Sequence, residues 1–395
     1  MKNSNAVVKL PLCAGCFVLF CYFLLWTCWI CVIKRDIRQT FRSASSKMRR
    51  AVTSGGDILQ HTLGDVFTLC PHNTPFVGPY SYTPLSRSPC WQDGDQFRCV
   101  PNFYIAGFSK RGVSDLYRRL SQHQDVISGI KAPHWFDFWR NIAGYDTIET
   151  YSKSFQNASA MVTHDIVDLG HSNKLIGDVT PCTVWSSLYW RCYQGNTGQV
   201  MEPVYTNADV IHRLNPQAKI IFIMGDPVDR LYSQYHRWFS SGSHTVPMEP
   251  SREKFHQLVT RAVAAYRRCF CQRSLRSCAY NGTLLADVML GLQEGMYSVF
   301  LHDWLTVFPR NQLFFIKLED YAVDIATGLQ TTVEFLGLAD PGILWYAETS
   351  GQPMTIGGNS SLGPMLPETR VVLREFYNSV NLHLPNLLGD ARFRW

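Results

Sequence analysis

Phe103-Tyr104-Ile105-Ala106-Gly107-Phe108-Ser109-Lys110-Arg111-Gly112-Val113-Ser114-Asp115-Leu116-Tyr117 is the stretch that decides the fold of this 395-residue chain. Residues 103–106 form a short apolar run that reads as a buried strand. Gly107 and Gly112 bound a loop, and Ser114 and Asp115 are good first-turn residues for a helix that follows. Leu116, Tyr117 and Leu120 fall on one face of that helix, with Arg118 and Arg119 beside it. Backbone N–H groups of such a loop, with the positive end of the helix, make an anion site, and Lys110 lies within reach of a bound phosphate. The glycine spacing matches the first half of the ATPase phosphate-loop pattern, which then requires Lys and Ser/Thr. Here Val113 and Ser114 follow, and the lysine comes before the second glycine. Taken alone, the loop reads equally as an ordinary strand-to-helix turn with a solvated lysine.

Outward from this stretch, apolar runs alternate with helical patterns. Residues 219–224 and 313–317 read as further buried strands, and residues 116–123, 228–239, 252–265 and 369–381 as helices. Strands alternating with helices argue for a three-layer α/β domain with a central parallel sheet, which binds its ligands at the carboxyl ends of the strands. The opening loop and Gly225 both sit at such ends. Glu319 and Asp320, after the third strand, read as a structural hydrogen-bonding pair. Trp135, Trp139, Trp185 and Trp190 are either core residues or platforms for sugar rings.

The first part of the chain reads differently. Residues 10–33 carry no charged side chain, are long enough to span a bilayer, and lack a following cleavage site. They read as an uncleaved transmembrane signal-anchor behind a short tail of residues 1–9. Residues 34–87, basic at first and later rich in Ser, Thr, Pro and Gly, read as a stem, which leaves residues 88–395 as the domain. Two lysines precede the apolar segment and a basic run follows it, so the positive-inside rule alone puts the domain in the cytosol. Glycosylation sequons at Asn157, Asn281 and Asn359 point instead to the lumen. Eight of the 13 cysteines lie outside the apolar segment, an even number that suits an oxidising compartment, though spacing does not give their pairing. Cys269-Phe270-Cys271 is too tight for a zinc site. Nothing resembles a nucleic-acid-binding module. The formal net charge of +6 suits anionic ligands.

The loop resembles the 5′-phosphosulfate-binding loop of sulfotransferases that use 3′-phosphoadenosine-5′-phosphosulfate (PAPS). Further stretches resemble one carbohydrate branch of that family, which sulfates O-6 of N-acetylgalactosamine 4-sulfate in chondroitin and dermatan sulfate. They are Ser88-Pro89-Cys90-Trp91, Ile130-Lys131-Ala132-Pro133-His134-Trp135, Asp226-Pro227-Val228-Asp229-Arg230-Leu231-Tyr232-Ser233, Leu275-Arg276-Ser277-Cys278-Ala279-Tyr280-Asn281, Lys317-Leu318-Glu319-Asp320-Tyr321 and Leu362-Gly363-Pro364-Met365. The resemblance implies a P-loop-like sulfotransferase fold, PAPS as co-substrate without a metal, and a glycosaminoglycan acceptor. It also implies a type II Golgi membrane protein with a lumenal domain, and a homodimer is compatible with it.

Residue by residue, Lys110 would neutralise the oxygen that bridges sulfate and 5′-phosphate as that bond breaks. Arg111, Gly112, Val113 and Ser114 would hold the 5′-phosphate. Ser233 stands at the family's 3′-phosphate serine, whereas Gly225 stands where the family has an arginine for the same phosphate. Ala132 replaces the glutamate that takes the acceptor proton, which makes the nearby His134 the candidate base. Lys131, His134 and Asp178 would line the acceptor cleft, with helix capping the alternative for Asp178. The family implies disulfides Cys90–Cys99 and Cys269–Cys278. Two functions follow: an active glycosaminoglycan sulfotransferase, or a catalytically impaired relative that binds sulfated glycans or a partner enzyme, motivated by Ala132 and Gly225. A nucleotide kinase is disfavoured by the placement of Lys110.

Overall fold

The computed structural model describes residues 78, 80–109, 112–127, 132–137, 139–141, 144–186, 190–196, 200–240, 250–282, 284, 290–354 and 362–395. The tail and signal-anchor expected over residues 1–33 lie outside these, as do residues 34–77 of the stem. Among the described residues no helix is long and apolar enough to cross a membrane.

The chain enters the fold through Tyr80 and Tyr82, which pack against Trp91, and the Tyr82 hydroxyl donates to Leu214 O at 2.6 Å. A two-stranded antiparallel ribbon follows, β1 (Cys90–Asp93) and β2 (Gln96–Cys99), closed by the Cys90–Cys99 disulfide. The main sheet holds β3 (Phe103–Gly107), β4 (Val126–Ile127), β5 (Leu175–Asp178), β6 (Lys219–Met224) and β7 (Leu313–Lys317) in the order β4-β5-β3-β6-β7. All its pairings are parallel. The longer helices are α1 (Val113–Leu120), α2 (Gln156–Leu169), α3 (Asn207–Leu214), α4 (Pro227–Ser240), α5 (Arg252–Phe270), α6 (Tyr297–Val307), α7 (Leu318–Val323), α8 (Ile325–Leu336), α9 (Ile343–Gly351) and α10 (Pro367–Val380).

The strands read as continuous apolar runs because both faces of the sheet are covered. Tyr104, Ala106, Ile220, Phe222 and Met224 face one buried layer, shared with Leu231 of α4, Val259 of α5 and Trp304 of α6. The alternate residues Phe103, Ile105, Ile221 and Ile223 face the other, shared with Leu116 of α1 and Val333 of α8. The three-layer α/β expectation therefore holds, and both disulfides implied by the resemblance are formed, the second joining Cys269 to Cys278.

Strands β6 and β7 fall where the apolar runs place them. The first helix begins earlier than expected, at Val113, and ends at Leu120 rather than at residue 123. Gly112 in the left-handed conformation (φ 78°) starts it, and Val113 belongs to its buried face. The third predicted helix runs on to Phe270, up to the disulfide at Cys269.

A buried ion cluster ties α1 to the body. Asp115, in the first turn, accepts from Arg119 Nε at 2.6 Å, from Arg118 Nη2 at 2.9 Å and from the Tyr321 hydroxyl of α7 at 3.2 Å. Arg119 is fully buried and also donates to Thr349 O and, at 2.8 Å, to Gln352 O. Sequence periodicity leaves this arginine beside the apolar face, but the structure uses it as a clamp. Replacing Arg119 by Met leaves a buried carboxylate with one half-exposed cation, and we expect urea unfolding to show a loss of about 3–5 kcal/mol. A loss no larger than that of an exposed pair, under about 1 kcal/mol, would show that the clamp does not hold the fold.

Candidate functional site

Strands β3 and β6 are neighbours, so their exits open side by side on the carboxyl edge of the sheet. Phe108, just past β3, donates its N–H to Ile223 O at 2.8 Å. The chain then turns into α1, whose N-terminus has Gly112 at the cap position and no side-chain cap. Its positive φ favours glycine at 112, and a Cβ there would lie 3.0 Å from both Ile223 Cδ1 and Leu318 Cδ1, which would have to give way. Uncapped first-turn N–H groups on a positive helix end suit an anion such as phosphate. Val113 turns its side chain into the core, so it offers only main chain; Ser114 stays partly exposed. Lys110 and Arg111 lie outside the described residues.

The β6 exit builds the second half. Gly225 is buried, and its carbonyl accepts from the Tyr297 hydroxyl at 2.9 Å. Asp226 Oδ1 accepts from Val228 N at 2.8 Å and so caps α4, and Asp226 N donates to Glu319 Oε1 at 2.8 Å. Ser233 lies further along α4, partly exposed. Arg230 on the same helix is fully buried. It donates to Gln234 Oε1 at 2.6 Å, to Glu294 Oε2 at 3.1 Å and to Gly291 O at 2.6 Å. It therefore cannot replace the arginine missing at Gly225. Glu319 and Asp320 make structural contacts as expected, Asp320 with Arg392 at 2.9 Å.

A third group sits over β3 and β5. Residues 132–137 form a turn in which Ala132 (φ 57°) and His134 (φ 54°) both adopt the left-handed conformation. Phe136 packs edge-on against Tyr104 of β3, and Trp135 stacks on Tyr151. Trp135 also donates its indole N–H to Tyr145 O at 2.8 Å. His134 is 5% exposed; its Nδ1 lies 2.9 Å from Asp137 Oδ2, and its Nε2 is buried with no hydrogen-bond partner. Asp178 ends β5, paired in register with Tyr104. It is 1% exposed, and accepts from the Tyr151 hydroxyl and the Thr180 hydroxyl, both at 2.6 Å. It thus underlies this turn, and it caps no helix.

Other expectations divide. Trp135, Trp185 and Trp190 are core residues, and Trp139 is partly buried against the same core. Asn157 is exposed on α2, whereas Asn281 is partly buried and its Oδ1 accepts from Leu284 N at 3.1 Å. Lys131 and Asn359 lie outside the described residues. Sequence reasoning missed Asp137; the His-x-x-Asp spacing of 134 and 137 was the available signal.

Burial lifts the Asp178 carboxyl from its ordinary 3.8 to about 6, against the opposing pull of its two hydroxyl donors. The unfolded chain gives up that proton at lower pH than the fold does. The contribution of Asp178 to stability is therefore complete below about pH 3.8 and is lost as pH rises through about 6. At about 1.4 kcal/mol per pKa unit the loss is on the order of 3 kcal/mol. Melting temperatures of Asp178→Asn should be less pH-dependent across this window than those of the parent. Parallel curves for the two proteins would contradict the shift.

The sequence matches the sulfotransferase-domain family model over residues 206–345. It is 34% identical to carbohydrate sulfotransferase 15 of Mus musculus over 318 residues, covering 76% of this chain and 55% of that protein. It is 31% identical to carbohydrate sulfotransferase 15 of Nototodarus sloanii over 137 residues, covering 34% of this chain and 86% of that sequence. The chain spans about half the length of the mammalian relatives it matches. Among solved structures, a sulfotransferase from Alicyclobacillus acidocaldarius is similar with a TM-score of 0.45 and 20% identity, over 74% of this chain and 96% of that one. By this identity, the chain belongs to the sulfotransferase family, among the relatives of carbohydrate sulfotransferase 15.

Proposed function

We propose that this chain transfers sulfate from PAPS to a sugar hydroxyl of a glycosaminoglycan, with O-6 of N-acetylgalactosamine 4-sulfate in chondroitin or dermatan sulfate as the acceptor position. The observation that carries the reading is the uncapped N-terminus of α1 on the carboxyl edge, next to the strand exit that leads into the Ser233 helix. The PAPS phosphosulfate supplies an activated sulfuryl group. The backbone of Gly112, Val113 and Ser114 holds the 5′-phosphate, Lys110 balances the charge on its bridging oxygen, and Ser233 binds the 3′-phosphate. His134 takes the proton of the acceptor hydroxyl in place of the missing glutamate. With Gly225 in the arginine position, donor binding is weaker by about 1.5–3 kcal/mol, the typical worth of one hydrogen bond to a charged group. The reading extends to location: residues 10–33 anchor the chain in the Golgi membrane with the domain in the lumen. The Cys90–Cys99 and Cys269–Cys278 disulfides and the exposed Asn157 sequon suit that compartment.

The second reading, an impaired relative that binds sulfated glycans or a partner enzyme, is favoured by one observation. Arg230, the cation closest in sequence to the Gly225 gap, is buried and turns both terminal nitrogens to Gln234, Glu294 and Gly291. Calorimetry with adenosine 3′,5′-bisphosphate, together with radiolabelled sulfate transfer from PAPS to chondroitin sulfates, separates the two. The transferase reading expects micromolar binding and measurable transfer. Lys110→Ala should then lower transfer by roughly 10²–10³-fold, the scale of losing one preorganised transition-state contact. Binding without transfer selects the impaired relative, and a folded chain that does neither has lost both the donor site and this function.

A further inference from the structure

We infer that Asp137 is a positioning residue for sulfate transfer: it holds the His134 imidazole in the tautomer and orientation that leave Nε2 free to take the acceptor proton. The inference rests on the transfer reading above and names a residue that the family resemblance does not supply.

Three observations converge on the 132–137 turn. First, a carboxylate only accepts, so the 2.9 Å contact between His134 Nδ1 and Asp137 Oδ2 requires the proton on Nδ1. In the neutral ring the lone pair then lies on Nε2. Second, that Nε2 is buried and has no partner. A buried polar atom without a hydrogen bond costs about 1–3 kcal/mol, and this one leaves the ring an unused acceptor. Third, Ala132 and His134 hold positive φ although neither is glycine. Each such residue costs on the order of 1–3 kcal/mol, and such strain concentrates at sites where geometry is functional. The turn is kept in this shape by its surroundings: Trp139 N donates to His134 O at 3.0 Å, Arg140 N donates to Trp135 O at 2.9 Å, and Trp135 stacks on Tyr151.

The position suits the chemistry. The turn lies on Tyr104 of β3, the strand whose exit leads into the phosphate-binding loop. Asp178, at the carboxyl end of β5, is close enough to interact electrostatically with both His134 and Asp137. In the step itself, the acceptor hydroxyl proton passes to His134 Nε2 while the acceptor oxygen bonds to sulfur. The bond from sulfur to the bridging oxygen breaks, and its electron pair leaves with the 5′-phosphate of adenosine 3′,5′-bisphosphate. The imidazolium so formed faces the Asp137 carboxylate, which stabilises its charge.

The test uses the full chain and three variants, Asp137→Asn, Asp137→Glu and His134→Gln, with chondroitin 4-sulfate as acceptor. Asp137→Asn should lower kcat by up to roughly 10⁴-fold, the scale of removing the carboxylate that fixes the tautomer of a catalytic imidazole. KM and the affinity for adenosine 3′,5′-bisphosphate should stay unchanged, and Asp137→Glu should recover part of the rate. Nitrogen-15 NMR of histidine-labelled chain, with the His134 signal identified by its absence in His134→Gln, should show a protonated Nδ1 and a bare Nε2 in the parent. It should show a mixed or reversed tautomer in Asp137→Asn. An unchanged kcat in Asp137→Asn overturns the inference alone, as does a parent signal with the proton on Nε2. A fall in kcat matched by an equal loss of bisphosphate affinity and melting temperature also overturns it, because that is the mark of a purely structural residue. A parent that binds the bisphosphate but transfers no sulfate overturns the transfer reading and this inference with it.

Discussion

A single desolvated carboxylate, Asp115, sets the geometry on which the candidate site depends. It sits in the first turn of α1, where a negative charge complements the helix dipole, and is fully buried. Arg119 cannot leave it without stranding a charge in the core, and the same guanidinium holds main-chain carbonyls at Thr349 and Gln352. Helix α1, helix α7 and the segment after α9 are thereby fixed to one another. Met354 in that segment comes within 3.9 Å of where a Cβ of Gly112 would lie. The N-terminus of α1 is thereby held at the strand edge before any ligand arrives.

This arrangement spends arginines that composition alone would assign to ligand binding. Arg119, Arg140 and Arg230 are all fully buried. Arg230 satisfies Glu294, Gln234 and Gly291, and Arg140 lies over the rings of Tyr193 and Trp135. A net charge of +6 therefore overstates what the fold offers to a phosphate. In the proposed donor site, backbone N–H groups at α1 and the hydroxyls of Ser114 and Ser233 would carry a larger share than where an arginine fills position 225. Dipolar groups bind more weakly than a bidentate guanidinium but are preorganised at no side-chain entropy cost.

Much of the architecture is legible in the sequence because buried parallel strands leave an unambiguous trace. Residues 219–224 and 313–317 are apolar on both faces, and their limits coincide with β6 and β7. Short strands leave no such trace: β4 has two residues, and β5 contains Gly177 and Asp178, so neither shows a period. Helix ends shift where the deciding fact is conformational, as at Gly112. The site divides the same way. The half proposed to bind phosphate follows local chain rules and can be read from glycine and serine spacing. The half proposed to transfer the proton depends on two left-handed non-glycine residues and on a His–Asp contact between residues packed over β3 and β5. No propensity encodes such a turn, because tertiary packing imposes it.

The substitution of Ala for Glu at 132 then acquires a physical meaning beyond loss. Residue 132 is buried in a turn held by aromatic packing, and a carboxylate there would need its own hydrogen-bond donors. Alanine makes no such demand. In the transfer proposed above, the exchange would move the proton-accepting atom from a carboxylate to an imidazole held at Nδ1 by Asp137. It places the demand for precision on the segment that the Trp135–Tyr151 stack and the hydrogen bonds of the turn hold most firmly.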